Sequence, residues 1–391
     1  MRRFFVTILS IALLGLGALP AHADDSAFNS DAFESFDVYA QAQAARGTMF
    51  AVGGVEGESE RLVGAKVEVS KPASVYAIAA AFQRGLAAGY TYGAVLGRSA
   101  AGGKGIAPEP PPGESIALYP SEPREMTWEG PLTSGAKGSV IDGRSYAKAL
   151  DVPAGRSGIS LQHIDAGQLV IDHAVTASRG EPTAEGLQVE ATSTVEGIAI
   201  GTALKIDRLV SRAYALIPAT SGDAKGEGST VITGARVNGV PVEITSGGIV
   251  VADQKQGGDQ KSQAVKQVSE SLAKANIKDV RLDETTVKPG DGGKEVEVTA
   301  AVLRVSYINE EFGASNPQGF RGGGMELGGA TIDVAAQRAG ESAPTSDVGS
   351  DVAPGANGGS GGGSTGKQAA TEPDRWVDRS SRPMIPARHG R

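Results

Sequence analysis

Apolar and polar positions along the chain follow a period of two more often than a helical period. Leu204, Ile206, Ala213, Ala215 and Ile217 alternate as inward positions, and Val296, Val298, Ala300, Val302 and Val305 do the same. Such alternation puts one side of a strand against a core and the other in water. Leu62, Ala65, Val67 and Val69 begin a strand that Pro72 stops, and the pattern returns with Ser139-Val140-Ile141 and from Tyr146 onward. Phe28, Phe33, Phe36 and Tyr39 recur at spacings of five, three and three, which fits a short amphipathic helix or an extended lead-in strand. Ser74 to Gly97 is Ala-rich, but Gly85, Gly89 and Gly93 would each cost a helix about 1 kcal/mol relative to Ala, so two small-residue strands are expected. Pro108 to Pro112 reads as a polyproline connector and Trp128 to Gly138 as irregular, turn-forming chain.

Two segments share a Leu-x-Ile-Asp core, at Leu169-Val170-Ile171-Asp172 and Leu204-Lys205-Ile206-Asp207, and Thr331-Ile332-Asp333 is a fainter echo. The pattern suggests a weak internal duplication, with too few copies for a solenoid. Asn238-Gly239, flanked by Val237 and Val240, tolerates positive φ at both corners and predicts a type I′ hairpin, and Gly247-Gly248 turns into a third neighbouring strand. One helix is expected from Ser262 as N-cap to Asn276 as left-handed C-cap, with Val265, Val268, Leu272 and Ala275 on its buried face. From about Gly340 the chain is dominated by Gly, Ser, Ala, Pro and Asp, which bury too little apolar surface to offset their ordering entropy.

The expected fold is therefore mainly β: antiparallel, sandwich-like sheets, one α+β unit with a single amphipathic helix, and a disordered C-terminal tail. The expected boundaries are 1–23 signal peptide, 24–47 lead-in segment, 48–230 β-rich domain, 231–338 α+β unit packed on or continuous with it, and 339–391 tail.

Composition sharpens this picture. Arg2-Arg3, the apolar run Phe4 to Leu19, and Ala21-His22-Ala23 have the form of a cleavable signal peptide, with cleavage expected after Ala23 and function in a secreted or cell-envelope location. Of 37 basic side chains, two leave with that segment, so 35 basic against 45 acidic give the mature chain a charge of -10. That balance argues against nucleic-acid partners, and no membrane span is expected after cleavage. The chain has no Cys, so an apolar core must stabilise it without disulfides. With 55 Gly and 5% aromatic residues, that core has to be built from small aliphatic side chains.

No catalytic, cofactor-binding or metal-binding residue is assigned from the pattern. His163 and His173 lie near Asp165 and Asp172, but on one extended strand they would stand about 33 Å apart at about 3.3 Å per residue, too far to share an ion. Gly358-Gly359-Ser360-Gly361-Gly362 matches a hydrolase elbow only by composition, and Gly97 to Gly105 lacks the Lys and hydroxyl spacing of a phosphate loop. Leu216 to Gly222 falls short of a wall-sorting signal. Asp283-Glu284, Glu310-Glu311, Asp291 and Glu295 have no calcium-loop spacing, and Trp128 is the single Trp before the tail, few aromatics for a carbohydrate enzyme. Arg375-Trp376 to Arg391 reads as a solvated tail end.

Over Ile159 to Tyr307 the Leu-x-Ile-Asp strands, the Val237-Asn238-Gly239-Val240-Pro241-Val242 hairpin, Gly248-Ile249 and the Asn276-Ile277 helix end resemble a group of secreted, β-rich actinobacterial (high-GC Gram-positive) proteins of unknown function. The resemblance implies export and fold style only. The function expected is a non-catalytic structural or interaction module meeting an envelope protein or wall polymer, with a secreted hydrolase using His163 or His173 as the alternative.

Overall fold

A computed structural model describes residues 28–51, 56–72, 74–83, 112–133, 140–150, 152–165, 168–252, 258–308 and 320–340. Its first strands are β1 (Phe33–Ala51), β2 (Glu56–Lys71), β3 (Ser74–Gln83), β4 (Glu114–Tyr119) and β5 (Glu125–Thr133). Next come β6 (Val140–Ala149), β7 (Gly155–Asp165), β8 (Leu169–Pro182), β9 (Gly186–Ile200), β10 (Leu204–Pro218) and β11 (Lys225–Thr233). The short β12 (Arg236–Val237), β13 (Val240–Thr245) and β14 (Gly248–Val251) precede helix α1 (Gly258–Lys274). The chain then runs through β15 (Ile277–Leu282), β16 (Thr286–Pro289), β17 (Glu295–Thr299), β18 (Leu303–Ile308), β19 (Phe320–Leu327) and β20 (Ala330–Arg338).

These strands make two antiparallel sheets. In the first, β4, β3, β2 and β1 are successive neighbours, and the far side of β1 is shared by β20 along its first half and β19 along its second. β20 leads on to β17 and β16, and β19 to β18 and β15. In the second sheet β5 to β10 run in sequence order; β10 then pairs with β11 along most of its length and with β12 at its start, followed by β13 and β14. The layers stack in matching order, with β2 over β7 and β8, β1 over β8 and β9, β20 over β9 and β10, and β16 over β11.

Register shows why the layers can lie close. Across the second sheet Ala149, Gly155, Gly180, Val189, Ala215 and Gly226 form one inward rung, and Ala147, Ser157, Ser178, Ala191, Ala213 and Gly228 form the next. A third rung is Ser145, Ile159, Thr176, Ser193, Ser211 and Thr230. The first sheet presents its own rung of Ser115, Ala79, Ala65, Ala42 and Ala330. Side chains this short let hydroxyls of one sheet reach the backbone of the other: Ser157 donates to the Lys66 carbonyl (3.0 Å), Ser178 to Ala65 (3.0 Å) and Thr230 to Ala301 (2.6 Å). Ser115 and Ser145 meet hydroxyl to hydroxyl at 2.8 Å. A methyl added to Gly180 would lie 2.7 Å from a Val38 methyl, and one on Gly155 would lie 2.8 Å from Val75.

Above these rungs the inward residues become large, with Leu161, Ile164, Ile171, Ile198, Leu204 and Ile206 buried in a second apolar cluster. The change of regime coincides with a line where the inward parity of each strand switches. In the second sheet the line crosses His163 (φ 58°), Asp172, Gly197 (φ 62°), Asp207 and Gly234 (φ 67°), without any net change of register. In the first sheet it crosses Gly113 (φ 87°), Ala81, Val63 (φ 52°), Ala44 and Gly328 (φ 70°). A left-handed residue on every second strand turns the chain by one face, so β9 buries Val195 below the line and Ile198 above it. The repeated Leu-x-Ile-Asp is thereby explained: Asp172 and Asp207 sit at this line on the two neighbours of β9, and the space a side chain would need at Gly197 and Gly234 is filled by their carboxylates.

Several expectations are corrected. Of the expected lead-in segment 24–47, residues 33–47 are strand rather than helix and belong to the central β1, where Phe36, Val38 and Ala40 alternate into the core between β2 and β20 and Phe33 is buried beyond a bulge. Of the stretch Trp128 to Gly138, expected to be irregular, Trp128 to Thr133 belongs to strand β5, which nine cross-strand pairs hold to β6, and 134–138 lie outside the described residues. The expected boundary at 230/231 falls inside β11, and strands from both sides of it share the first sheet. The helix starts at Gly258, so Ser262 lies inside it, and Val265 is 47% exposed while Val268 is buried. Asn238 (φ 47°), Gly239 (φ 81°) and Asn276 (φ 56°) have the left-handed conformations that turn and cap require. Only Ser74–Gln83 of the Ala-rich stretch is described, as one strand; the N-terminal 27 residues, 84–111 and everything after 340 lie outside the described residues.

Thr176 and Ser193 are buried hydroxyls on the third rung without a hydrogen-bond partner. Thr176→Val should therefore raise stability by about 1 kcal/mol, because it removes an unsatisfied hydroxyl and keeps the shape. Gly180→Ala should lower it by about 1–3 kcal/mol through forced separation of the layers. Urea unfolding midpoints of the two variants against the parent check both signs.

Candidate functional site

The outward side of the second sheet carries an ordered set of charged and nucleophilic side chains. Register places Lys148, Arg156, Arg179, Glu190 and Tyr214 in one outward row, and Gln162, His173, Glu196 and Arg208 in another. Between them lie Tyr146, Gly158, Ala177, Thr192 and Arg212, and then Arg144, Ser160, Val175 and Thr194.

Within the first row Arg179 and Arg212 both pair with Glu190, at 2.7 and 2.6 Å, and the Arg212 guanidinium lies 5.1 Å from the Tyr214 ring centroid. Arg156 is paired with Glu181, both buried, and its guanidinium faces the Phe28 ring at 5.8 Å. Phe28 is held there by its bridge to Thr183. A buried pair of this kind loses heavily if one member is removed, because the other charge is left uncompensated. Tyr146 lies over Gly158, where a side chain would strike its ring, and burial pushes its hydroxyl up to about 12.

The second row closes a shorter relay. Ser160 Oγ is 3.0 Å from His173 Nε2, His173 Nδ1 is 3.6 Å from Glu196, and Glu196 is 3.2 Å from Arg208 Nε. The histidines do not share one strand: a hairpin separates β7 from β8, putting Gln162 opposite His173 and leaving His163 exposed at the left-handed position. Ser160 and Glu196 were missed by the sequence reading because they are 13 residues before and 23 after His173, and only the strand register joins them.

The Ser160–His173–Glu196 order is that of a nucleophile, a base and an orienting acid. Its surroundings differ from a hydrolase centre in two respects. Ser160 lies inside a regular strand paired on both sides, so neighbouring amides are committed to the sheet rather than aimed at an oxyanion. The surface is also a sheet face rather than a cleft. A cavity of about 430 Å³ touches this face only at its margin, where Arg212 lines it with Glu227, Gly228, Ser229 and Val287, and another of about 110 Å³ is lined by Gln168, Ile200, Gly201, Ala275, Asn276, Ile277 and Tyr307.

Among the described residues no group of three or more His, Asp or Glu side chains could hold a metal ion. Asp283, one of the acids weighed for calcium, is instead 2.9 Å from Arg304. Glu310 and Glu311, the Gly97 to Gly105 loop and the Gly358 to Gly362 match lie outside the described residues. No helix among the described residues is long and apolar enough to cross a membrane.

One carboxyl is displaced well away from its ordinary range. Glu114 opens β4 opposite Ala80, on the same side of the strands as Ile116 and Ile78, and burial raises it from 4.5 to about 7. A carboxyl whose folded value is raised binds its proton more tightly when folded, so its contribution to stability falls as pH rises from about 4.5 through about 7. Glu114→Gln should therefore be more stable than the parent at pH 8, by on the order of 1 kcal/mol after allowance for partial solvent access, and the advantage should shrink towards pH 5. Urea midpoints of both proteins at the two pH values test this.

No protein-family model and no curated protein matches the chain. Structural comparison returns OpdQ of Pseudomonas aeruginosa, at 9% identity over 78% of this chain and 98% of that one, with a TM-score of 0.14. OccK3 (OpdO) of the same species gives 9% identity over 79% and 97%, with a TM-score of 0.13, and a BenF-like porin from Pseudomonas fluorescens Pf-5 gives 9% over 80% and 100%, with a TM-score of 0.12. At this level of superposition none of them determines the fold or activity of the chain.

Proposed function

We propose that the protein works outside the cytoplasm as a non-catalytic structural or interaction module of the cell envelope, meeting an envelope protein or wall polymer through the outward side of its second sheet. The observation that carries this reading is the outward side itself. Its polar side chains are ordered across the strands into Arg179–Glu190–Arg212 and His173–Glu196–Arg208, on a sheet stacked against a second layer. A surface of fixed, alternating charges and hydroxyls suits an extended polar partner, whose many weak contacts it can match in register. The Arg2-Arg3, apolar-run and Ala21-His22-Ala23 pattern supports export. Purified full-length protein should bind sedimented wall material or a membrane-envelope fraction saturably, and Arg208→Glu should weaken that binding roughly tenfold by placing a second acid opposite Glu196. Lack of saturable binding to both fractions would overturn the reading.

The relay of Ser160, His173 and Glu196 favours a second reading, a secreted hydrolase acting through Ser160. A fluorophosphonate probe should then label the parent protein and not Ser160→Ala. An unlabelled parent, or equal labelling of both, removes it.

A further inference from the structure

We infer that the open edge of β11 is a self-association surface, pairing antiparallel with β11 of a second copy about Ser229. Among the described residues β11 has β10 as its only partner, so the other side of Lys225–Thr233 presents unpaired backbone groups. Three of the other sheet edges are blunted in recognisable ways. β5 carries Gly130 and Pro131 in its middle, β16 is four residues long with Lys288 and Pro289, and β14 has α1 packed beside it. β11 has nine residues, no Pro, and its single Lys at the very start.

The cavity of about 430 Å³ lies at β11, with Glu227, Gly228 and Ser229 from β11 itself, Arg212 from β10 and Val287 from the sheet beneath. One large exposed apolar side chain lines it, Val287 at 45%, and a second, Val231 at 48%, lies further along β11 beyond Ser229. Backbone and apolar surface are thus both accessible where an incoming strand would lie.

The identity of the incoming strand follows from self-complementarity. Antiparallel pairing about Ser229 sets Gly226 against Ile232, Gly228 against Thr230, Glu227 against Val231 and Lys225 against Thr233 of the second copy. Each inward glycine then meets a β-branched residue, the two copies' inward rows join, and no like charges oppose each other. Residue i facing j while j faces i is the requirement of a two-fold contact.

The absence of cysteine makes the register directly testable. Full-length protein should sediment as a concentration-dependent dimer. Ser229→Lys, which sets two ammonium groups against each other at an exposed position, should weaken the dimer roughly tenfold or more while leaving the circular-dichroism spectrum unchanged, and the melting curve unchanged at concentrations where both proteins are monomeric. Under mild oxidation Ser229→Cys should cross-link to a covalent dimer, because the two thiols stand directly opposite. Val231→Cys should not, because its own copy lies four residues away along the paired strand. Sedimentation as a monomer at every concentration, a dimer indifferent to Ser229→Lys, or equal cross-linking of the two cysteine variants would overturn the inference. Wall or envelope binding is read separately, so neither result stands in for the other.

Discussion

The close approach of two sheets over Gly, Ala, Ser and Thr is the constraint on which the rest of this structure depends. Close approach and small residues demand each other. Only short side chains let the Ser157 and Ser178 hydroxyls reach carbonyls of the opposite layer, and once they do, there is no room for a methyl at Gly155 or Gly180. The interface gains contact and hydrogen bonds but little apolar volume for each strand, since an Ala buries far less surface than a Leu. Long strands compensate. β1, β9 and β10 run for 19, 15 and 15 residues, so many small contributions accumulate over one continuous interface in a chain that has no disulfide to brace it.

The line of left-handed residues is the second consequence. A thin layer of Ala and Ser cannot also enclose the Leu and Ile side chains above it unless each strand exchanges its inward and outward sets. The exchange needs one residue with positive φ on alternate strands, which Gly197 and Gly234 supply at low cost and Val63 supplies only because it is packed on every side. On the outward side the same exchange places two successive residues towards solvent. That is why Asp172 and His173, Glu196 and Gly197, and Asp207 and Arg208 all face out, and why His173, Glu196 and Arg208 gather immediately below the line. The candidate site is therefore a by-product of how the core changes thickness.

How much of this was legible follows the range of the interactions. The Asn238-Gly239 hairpin and the Asn276 helix end could be read because their chemistry is confined to adjacent residues, and the mainly β, two-layer character could be read from alternation over short windows. β1 was ambiguous because aromatic residues at Phe33 and Phe36 have helical spacing, whereas its strand character resides in Val38, Ala40 and Ala42, small residues with a weak apolar signal. β5 was obscured by Gly130 and Pro131, residues that an edge strand tolerates and a central one does not. The helix began earlier than expected because the 17-residue segment holds its place through Val268 and Leu272 against the sheet rather than through a side-chain cap at Ser262.

The relay at Ser160 shows why chemistry on a sheet is harder to read than a fold. Three residue types separated by 13 and 23 positions become neighbours only when two hairpins close in one register, and a slip by a single residue would send Ser160 inward and His173 out of reach. The small-residue rungs forbid that slip, because moving Ile159 or Leu161 to the outward side would leave the interior filled with Ser and Gln. Registry in the core thus fixes the polar array outside it, and the array inherits its rigidity from contacts it does not make. An open sheet face of this kind is poor at enclosing a transition state, whose stabilisation needs donors converging from several directions. The proposed extended partner would meet, in the spacing of adjacent strands and the two-residue repeat along each of them, a regular grid of side chains.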